Sequence, residues 1–183
     1  MPRLRCTQKL LKLIGIPRVI QGEDTGTALL GDWYANLLVI ARQRALLFTN
    51  ESTLYSFAVL EVRKGMLASF AEVFIEQLKL NLAHEDIPSY VIERLVAEYR
   101  DMGIAGTASR RVLGSMNDLA DMLAYYVQEV GGPAASQVLA INRQLNRSPH
   151  KPLGWKFAVE VLRERLLGAF AVPGPQPSQL FLN

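Results

Sequence analysis

Three apolar blocks decide the fold: Trp33-Tyr34-Ala35-Asn36-Leu37-Leu38-Val39-Ile40-Ala41, then Ala45-Leu46-Leu47-Phe48-Thr49, then Leu54-Tyr55-Ser56-Phe57-Ala58-Val59-Leu60-Glu61-Val62. Each is dominated by aliphatic, β-branched or aromatic residues, the side-chain chemistry that fits a pleated, half-buried surface. The breaks between them, Arg42-Gln43-Arg44 and Asn50-Glu51-Ser52-Thr53, are of hairpin length and predict a three-stranded antiparallel meander. Alternation places Tyr55, Phe57 and Val59 on one face and Leu54, Ala58 and Leu60 on the other. Both faces are apolar, so the sheet is expected to be covered on one side and partly shielded on the other.

Before the meander, Leu4 to Thr7 reads as a short strand with Arg3 and Arg5 on one face and Leu4 and Cys6 on the other. Thr7 is a favourable N-cap for a short helix through Ile14, ended by Gly15 and Pro17, and residues 21–32 have loop composition. After it the pattern turns helical. Met66, Phe70, Val73, Phe74 and Leu78 form one buried stripe, and Ile92, Leu95, Val96 and Tyr99 another behind Pro88. Ile104 to Ala108 is a short strand or an extended link. Ser109 caps a long helix with Val112, Met116, Leu119, Leu123, Val127 and Val130 inward, stopped by Gly131-Gly132. Pro133 opens a helix with Val138, Ile141 and Leu145 inward, and Ala158 to Leu167 forms the last one. The expected class is α+β: an N-terminal strand and helix, the three-stranded meander, and a C-terminal set of about five helices packed on the sheet. Residues 1–168 are expected to be a single domain, and residues 169–183 a Pro-rich irregular tail with Pro173, Pro175 and Pro177.

The chain has 183 residues, 50% hydrophobic and 20% charged, enough for one sizeable core and too apolar for a disordered segment. Its net charge is only +3, but the charge is segregated. Residues 1–18 carry five bases and no acid, residues 130–156 four bases and no acid, and residues 51–101 five bases against nine acids. The one cysteine, Cys6, forms no internal disulfide, which fits a reducing compartment and a cytoplasmic location. No apolar run approaches the ~20 residues that cross a bilayer, so no membrane partner is expected.

Common catalytic signatures are absent. There is no glycine-rich phosphate loop, no His-Glu-x-x-His and no nucleophile elbow, and two histidines with one cysteine make no metal cage. No cofactor is expected. His84-Glu85-Asp86 reads as a solvated helix end, Cys6 as a small buried side chain, and Trp33 and Trp155 as core or rim anchors with bonded indole N–H groups. Two helical stretches are less ordinary. Asn117, beside Asp118, shares a row with Leu113 and Ala120 next to the apolar stripe. Asn142 and Asn146 are one turn apart, with Arg143 and Arg147 on the next row. Asn142 sits between Val138, Leu139 and Leu145 and should face inward, where an unpaired amide is costly, so it needs a partner. That partner is either a structural network or a groove in which Arg143, Arg147, His150 and Lys151 present donors to an anion or phosphate backbone. Arg110-Arg111 forms a second basic pair, opposing the dipole at a helix start. Asn36, on the first block of the meander, completes the candidate set.

Several blocks carry a family resemblance. Arg5-Cys6-Thr7-Gln8-Lys9-Leu10-Leu11, Trp33-Tyr34-Ala35-Asn36-Leu37-Leu38 and Leu47-Phe48-Thr49-Asn50-Glu51-Ser52-Thr53-Leu54-Tyr55 resemble a bacterial family of unknown function. Val112-Leu113-Gly114-Ser115-Met116-Asn117-Asp118-Leu119 and Leu145-Asn146-Arg147-Ser148-Pro149 resemble its later blocks. Related sequences occur beside, or fused to, proteins like those of the plasmid-borne ORF-3 family. The resemblance implies a coherent module over residues 4–165 and no particular reaction. Tyr34 stands where many relatives carry His, so no proton-transfer role is carried over to it. Three readings stand open. The first is a non-enzymatic module whose basic groove contacts nucleic acid or a protein partner, accessory to a mobile element. The second is an enzyme or sensor that binds a phosphate-bearing small molecule through Asn and Arg. The third is a structural or toxin–antitoxin-like interaction protein.

Overall fold

The computed structural model describes residues 1–16 and 28–170. The meander is present as β2 (Trp33–Ile40), β3 (Gln43–Asn50) and β4 (Ser56–Val59), paired antiparallel in sequence order. The first turn is tighter than expected. Ile40 pairs with Gln43, so Ala41 and Arg42 alone make the turn, at φ 48° and 67°.

The sheet does not stop at three strands. β1 (Arg3–Cys6) and β5 (Gly103–Gly106) join in parallel, giving the order β4-β3-β2-β1-β5. The expected N-terminal strand is therefore part of a five-stranded mixed sheet, and of the two readings of the segment from Ile104 the strand is the one found, beginning at Gly103. Parallel partners come from far along the chain and leave no local turn signature, which is why the sequence pattern did not announce them. A buried ion pair locks this corner. Arg5 Nε donates to Asp32 Oδ2 at 2.6 Å and its Nη1 to Gly106 O at 3.3 Å, while Asp32 Oδ1 accepts from Arg3 N at 2.9 Å.

Seven α-helices follow or flank these strands: α1 (Gln8–Ile14), α2 (Lys64–Ala68), α3 (Phe70–His84), α4 (Ser89–Glu98), α5 (Arg110–Glu129), α6 (Val138–Leu145) and α7 (Ala158–Phe170). The stripe beginning at Met66 is split between α2 and α3, because Ser69 leaves helical geometry at φ −111°, ψ 46°. α6 begins only after a 3-10 turn at Ala135–Gln137, so Pro133 does not open it. A two-stranded ladder absent from the sequence reading, β6 (Pro149–His150) with β7 (Lys156–Phe157), precedes α7. α7 runs to Phe170, two residues past the expected boundary of the tail. The loop expected from residue 21 lies, up to residue 27, outside the described residues, as does the tail from residue 171.

Helices cover both faces of the sheet, where partial shielding of one was expected. On one face Leu4, Cys6, Trp33, Phe48, Phe57 and Val59 pack against α1, α3, α4 and α7 through Leu10, Phe74, Leu95 and Leu162. Trp33, Phe48, Phe57 and Phe74 form a ring cluster with centroids 5.1–6.0 Å apart. On the other, Tyr34, Ile40, Leu47, Ala58 and Leu60 meet Met116, Leu119 and Leu123 of α5 and Ile141 and Leu145 of α6. Each face matches the alternation expected for Tyr55 to Leu60.

Candidate functional site

The inward-facing amides of Asn142 on α6 and Asn146 at its C-terminal cap bond the edge of the sheet. β4 is an edge strand, and its residues Ser56 and Ala58 turn their backbone groups away from β3. Asn142 Oδ1 accepts from Ala58 N at 2.8 Å and its Nδ2 donates to Ala58 O at 3.1 Å. Asn146 repeats the pattern one turn later, accepting from Ser56 N at 2.8 Å and donating to Ser56 O at 2.6 Å. Four helical residues rise about 6 Å and two strand residues about 6.7 Å, so successive turns of α6 meet successive outward positions of β4. Two side-chain amides thus stand in for a missing strand and close the edge. The network continues inward, since Asn142 Nδ2 also donates to Asn81 Oδ1 at 2.9 Å and Asn81 Nδ2 to Gln77 O at 2.8 Å.

Arg143 of α6 and Arg147, just past its C-terminal cap, face acids at the end of α3. Arg147 holds the carboxylate of Glu85 with two bonds, Nη1 to Oε1 at 2.8 Å and Nη2 to Oε2 at 2.6 Å. Arg163 of α7 donates to Glu85 O at 2.6 Å. Glu85 is 1% exposed, so the segment read as a solvated helix end holds a buried carboxylate. The bidentate bond to Glu85 raises the pKa of Arg147. Arg143 lies 3.9 Å from Asp86, an exposed and weaker contact. The arrangement fastens α3, α6 and α7 to one another.

The remaining candidates are spread over other elements. Asn36 Oδ1 accepts from Thr7 Oγ1 at 3.1 Å, which draws Thr7 away from the capping bond expected at α1. Ser109 does cap α5, accepting from Val112 N at 3.3 Å, and its own N–H donates to Tyr34 Oη at 3.1 Å. Beside it Arg111 donates to Glu51 O at 2.8 Å, and Arg110 is exposed. Asn117 and Asp118 are exposed on α5. His150 is 8% exposed with its Nε2 unpartnered. Burial lowers the pKa of its imidazole and the charge of Asp118 partly offsets this. Lys151 is exposed on the loop between β6 and β7. The structure therefore brings Asn142, Asn146, Arg143 and Arg147 together, sets His150 within the field of Asp118, and gives Asn36, Arg110, Arg111, Asn117 and Lys151 separate surroundings.

The open surfaces lie elsewhere. At the tip of the β2–β3 hairpin, Val39, Ile40 and Ala41 face Ala124, Val127 and Gly131 across a mostly apolar groove of about 510 Å³ at the end of α5. Val39 is 61% exposed there. On the other flank of the same hairpin a depression of about 330 Å³ is lined by Gln43, Arg44, Glu61, Val62 and Arg63. Arg42, Arg44, Arg63 and Lys64 are all exposed and none forms an ion pair among the described residues. Ala41, Arg42 and Glu61 hold positive φ, a conformation that side chains other than Gly and Asn rarely accept. Sequence reading took Arg42-Gln43-Arg44 only as a break. The signal it passed over was a turn without Gly or Asn that carries one arginine within it, Arg42, and a second, Arg44, just after it. Trp155 is a second correction, since it is 66% exposed, whereas Trp33 is the buried core anchor expected.

Among the described residues no group of three or more His, Cys, Asp or Glu is placed to hold a metal, and no helix is long and apolar enough to cross a membrane. A family model described as a domain of unknown function, DUF6933, matches residues 3–161. No curated protein matches, and no solved structure does.

Proposed function

The chain belongs to the DUF6933 family of domains of unknown function, and from that premise we propose that it is a non-enzymatic module that docks a protein partner at the tip of its β2–β3 hairpin. The observation that carries this reading is the apolar groove of about 510 Å³ on one flank of a hairpin whose tip and other flank carry four exposed cations that form no ion pair among the described residues. Arg44 and Arg63 line the depression on that other flank with one acid, Glu61, and Arg42 and Lys64 lie beside it in sequence, a local balance of four positive charges to one negative. An apolar centre rimmed by charge is the usual anatomy of a recognition patch. The complementary ligand is a segment with one or two aliphatic or aromatic anchors and flanking Asp or Glu. Its acids would be steered by the arginines and its anchors desolvated between Val39 and Val127.

The same reading gives Asn142, Asn146 and Arg147 a supporting role, because their donors are spent on β4 and on Glu85. Arg110, exposed on another part of the surface and without an ion pair among the described residues, is available for long-range steering. A module that works beside a partner also suits the bacterial, ORF-3-associated setting that the sequence resemblance implies. A random peptide library displayed on phage tests the proposal. The expected enrichment is for acidic peptides with apolar anchors whose affinity falls at least tenfold against Val39→Asp and against Arg42→Glu/Arg44→Glu. Enriched peptides indifferent to both variants, or no enrichment, would remove the hairpin as a docking site.

A further inference from the structure

The loop between β6 and β7 spends backbone strain to hold a large aromatic side chain in solvent. Lys151–Leu153 form a 3-10 turn, Gly154 follows at φ 64°, and Trp155 itself sits at φ 66°. The loop is closed by Trp155 N donating to His150 O at 3.0 Å and Gly154 N to Lys151 O at 3.0 Å. A left-handed conformation is expected of glycine, tolerated by asparagine, and an outlier for tryptophan. Such strain persists where the surrounding structure over-determines it, and it gathers at functional positions. Burial cannot explain this one, because Trp155 is 66% exposed.

The neighbours define the ligand. Lys151 and Lys156 flank the indole along the loop, both exposed. Lys151 forms no ion pair among the described residues, and Lys156 meets Glu164 at 3.5 Å with both partners more than half exposed, a contact easily exchanged. Leu153 packs against the core, so the loop offers one aromatic face and not an apolar patch. A bilayer surface would ask for more apolar area; a single π-face between two ammonium groups matches a nucleobase with its flanking phosphates. We propose that Trp155 is a stacking platform for single-stranded nucleic acid, with Lys151 and Lys156 contacting the phosphates on either side. The site is on a different hairpin from the protein-docking groove and stands or falls apart from it.

Fluorescence reads it directly. Trp33, the other tryptophan, is fully buried, so solvent-sensitive emission belongs to Trp155. Oligothymidylate and oligouridylate are titrated separately into the full chain at low salt, with a duplex and phosphatidylserine vesicles as parallel arms. Saturable quenching by either single strand, weakening as salt rises, is expected. Followed by anisotropy of a labelled strand, Trp155→Ala should lower affinity about tenfold, Trp155→Phe should retain part of it, and Lys151→Glu should weaken it. Trp155→Gly removes the backbone strain, so it should raise the melting temperature while abolishing binding. That pairing separates a ligand role from a structural one. The proposal is overturned by single strands that do not quench, by a response to vesicles or duplex alone, or by binding that survives Trp155→Gly.

Discussion

Asn146 makes three hydrogen bonds with one amide, and a change of a single group tests all of them. It accepts from Ser56 N and donates to both Ser56 O and Asn142 O. In Asn146→Ala the backbone groups of Ser56 lose their only outward partners in a site with no room for bulk water, at about 1–3 kcal/mol for each orphaned group. Asn146→Asp keeps the acceptor for Ser56 N but sets a second carboxylate oxygen against two carbonyls. It should therefore be at least as damaging as the alanine variant, by denaturant midpoint. An aspartate tolerated there would mean that the donor bonds contribute little. Cys6 gives a second test at this scale. Burial pushes its thiol up to about 12. The native protein should resist alkylation at pH 8 and react only as it unfolds. Ready labelling of the folded state would show that β1 opens locally.

The β2–β3 hairpin carries the most informative conflict between local preference and observed structure. A two-residue turn with positive φ at both positions favours Asn-Gly, yet Ala41-Arg42 occupies it. Each residue forced into that region costs about 1–2 kcal/mol. Ala41→Asn/Arg42→Gly should thus stabilise the protein by about 1–3 kcal/mol while weakening binding of an acidic peptide at the adjoining groove. Loss of stability in that variant would mean that Arg42 makes a compensating contact in the folded state. The strands of this hairpin were readable because their apolar runs and their hydrogen-bonded partners are close in sequence. The edge that α6 covers was readable only by half. An asparagine on an apolar row shows that a partner must exist. The partner of Asn142 is Ala58, 84 residues away, and that of Arg147 is Glu85, 62 residues away. No local pattern encodes such pairings. The parallel pairing of β1 with β2 and β5 was hidden for the same reason, and His84-Glu85-Asp86 looked solvated because the partners of Glu85 come from beyond α6 and from α7.

At the scale of the whole molecule, stability rests on two cores on opposite faces of one sheet, with α6 bridging them at the closed edge. His150 lies just beyond that bridge, its ring buried and its Nε2 without a partner, and this makes global stability depend on pH near neutrality. Burial strips water from the imidazolium and lowers its folded pKa below the ordinary value of about 6.5, against a smaller opposing effect of Asp118. Between those two pKa values the unfolded chain binds more protons than the folded one, so stability rises with pH across that window. Acidification should therefore begin to destabilise the protein as pH falls through about 6.5 and stop adding to the loss once the folded pKa is passed. Removing the offsetting charge with Asp118→Asn should carry the loss to lower pH. His150→Leu replaces the orphaned nitrogen with apolar volume and should flatten melting temperature against pH between about 7.5 and 5.5. A wild-type slope that persists in His150→Leu would assign the effect to other groups. A wild type with no slope would place the imidazole in water, not within the fold.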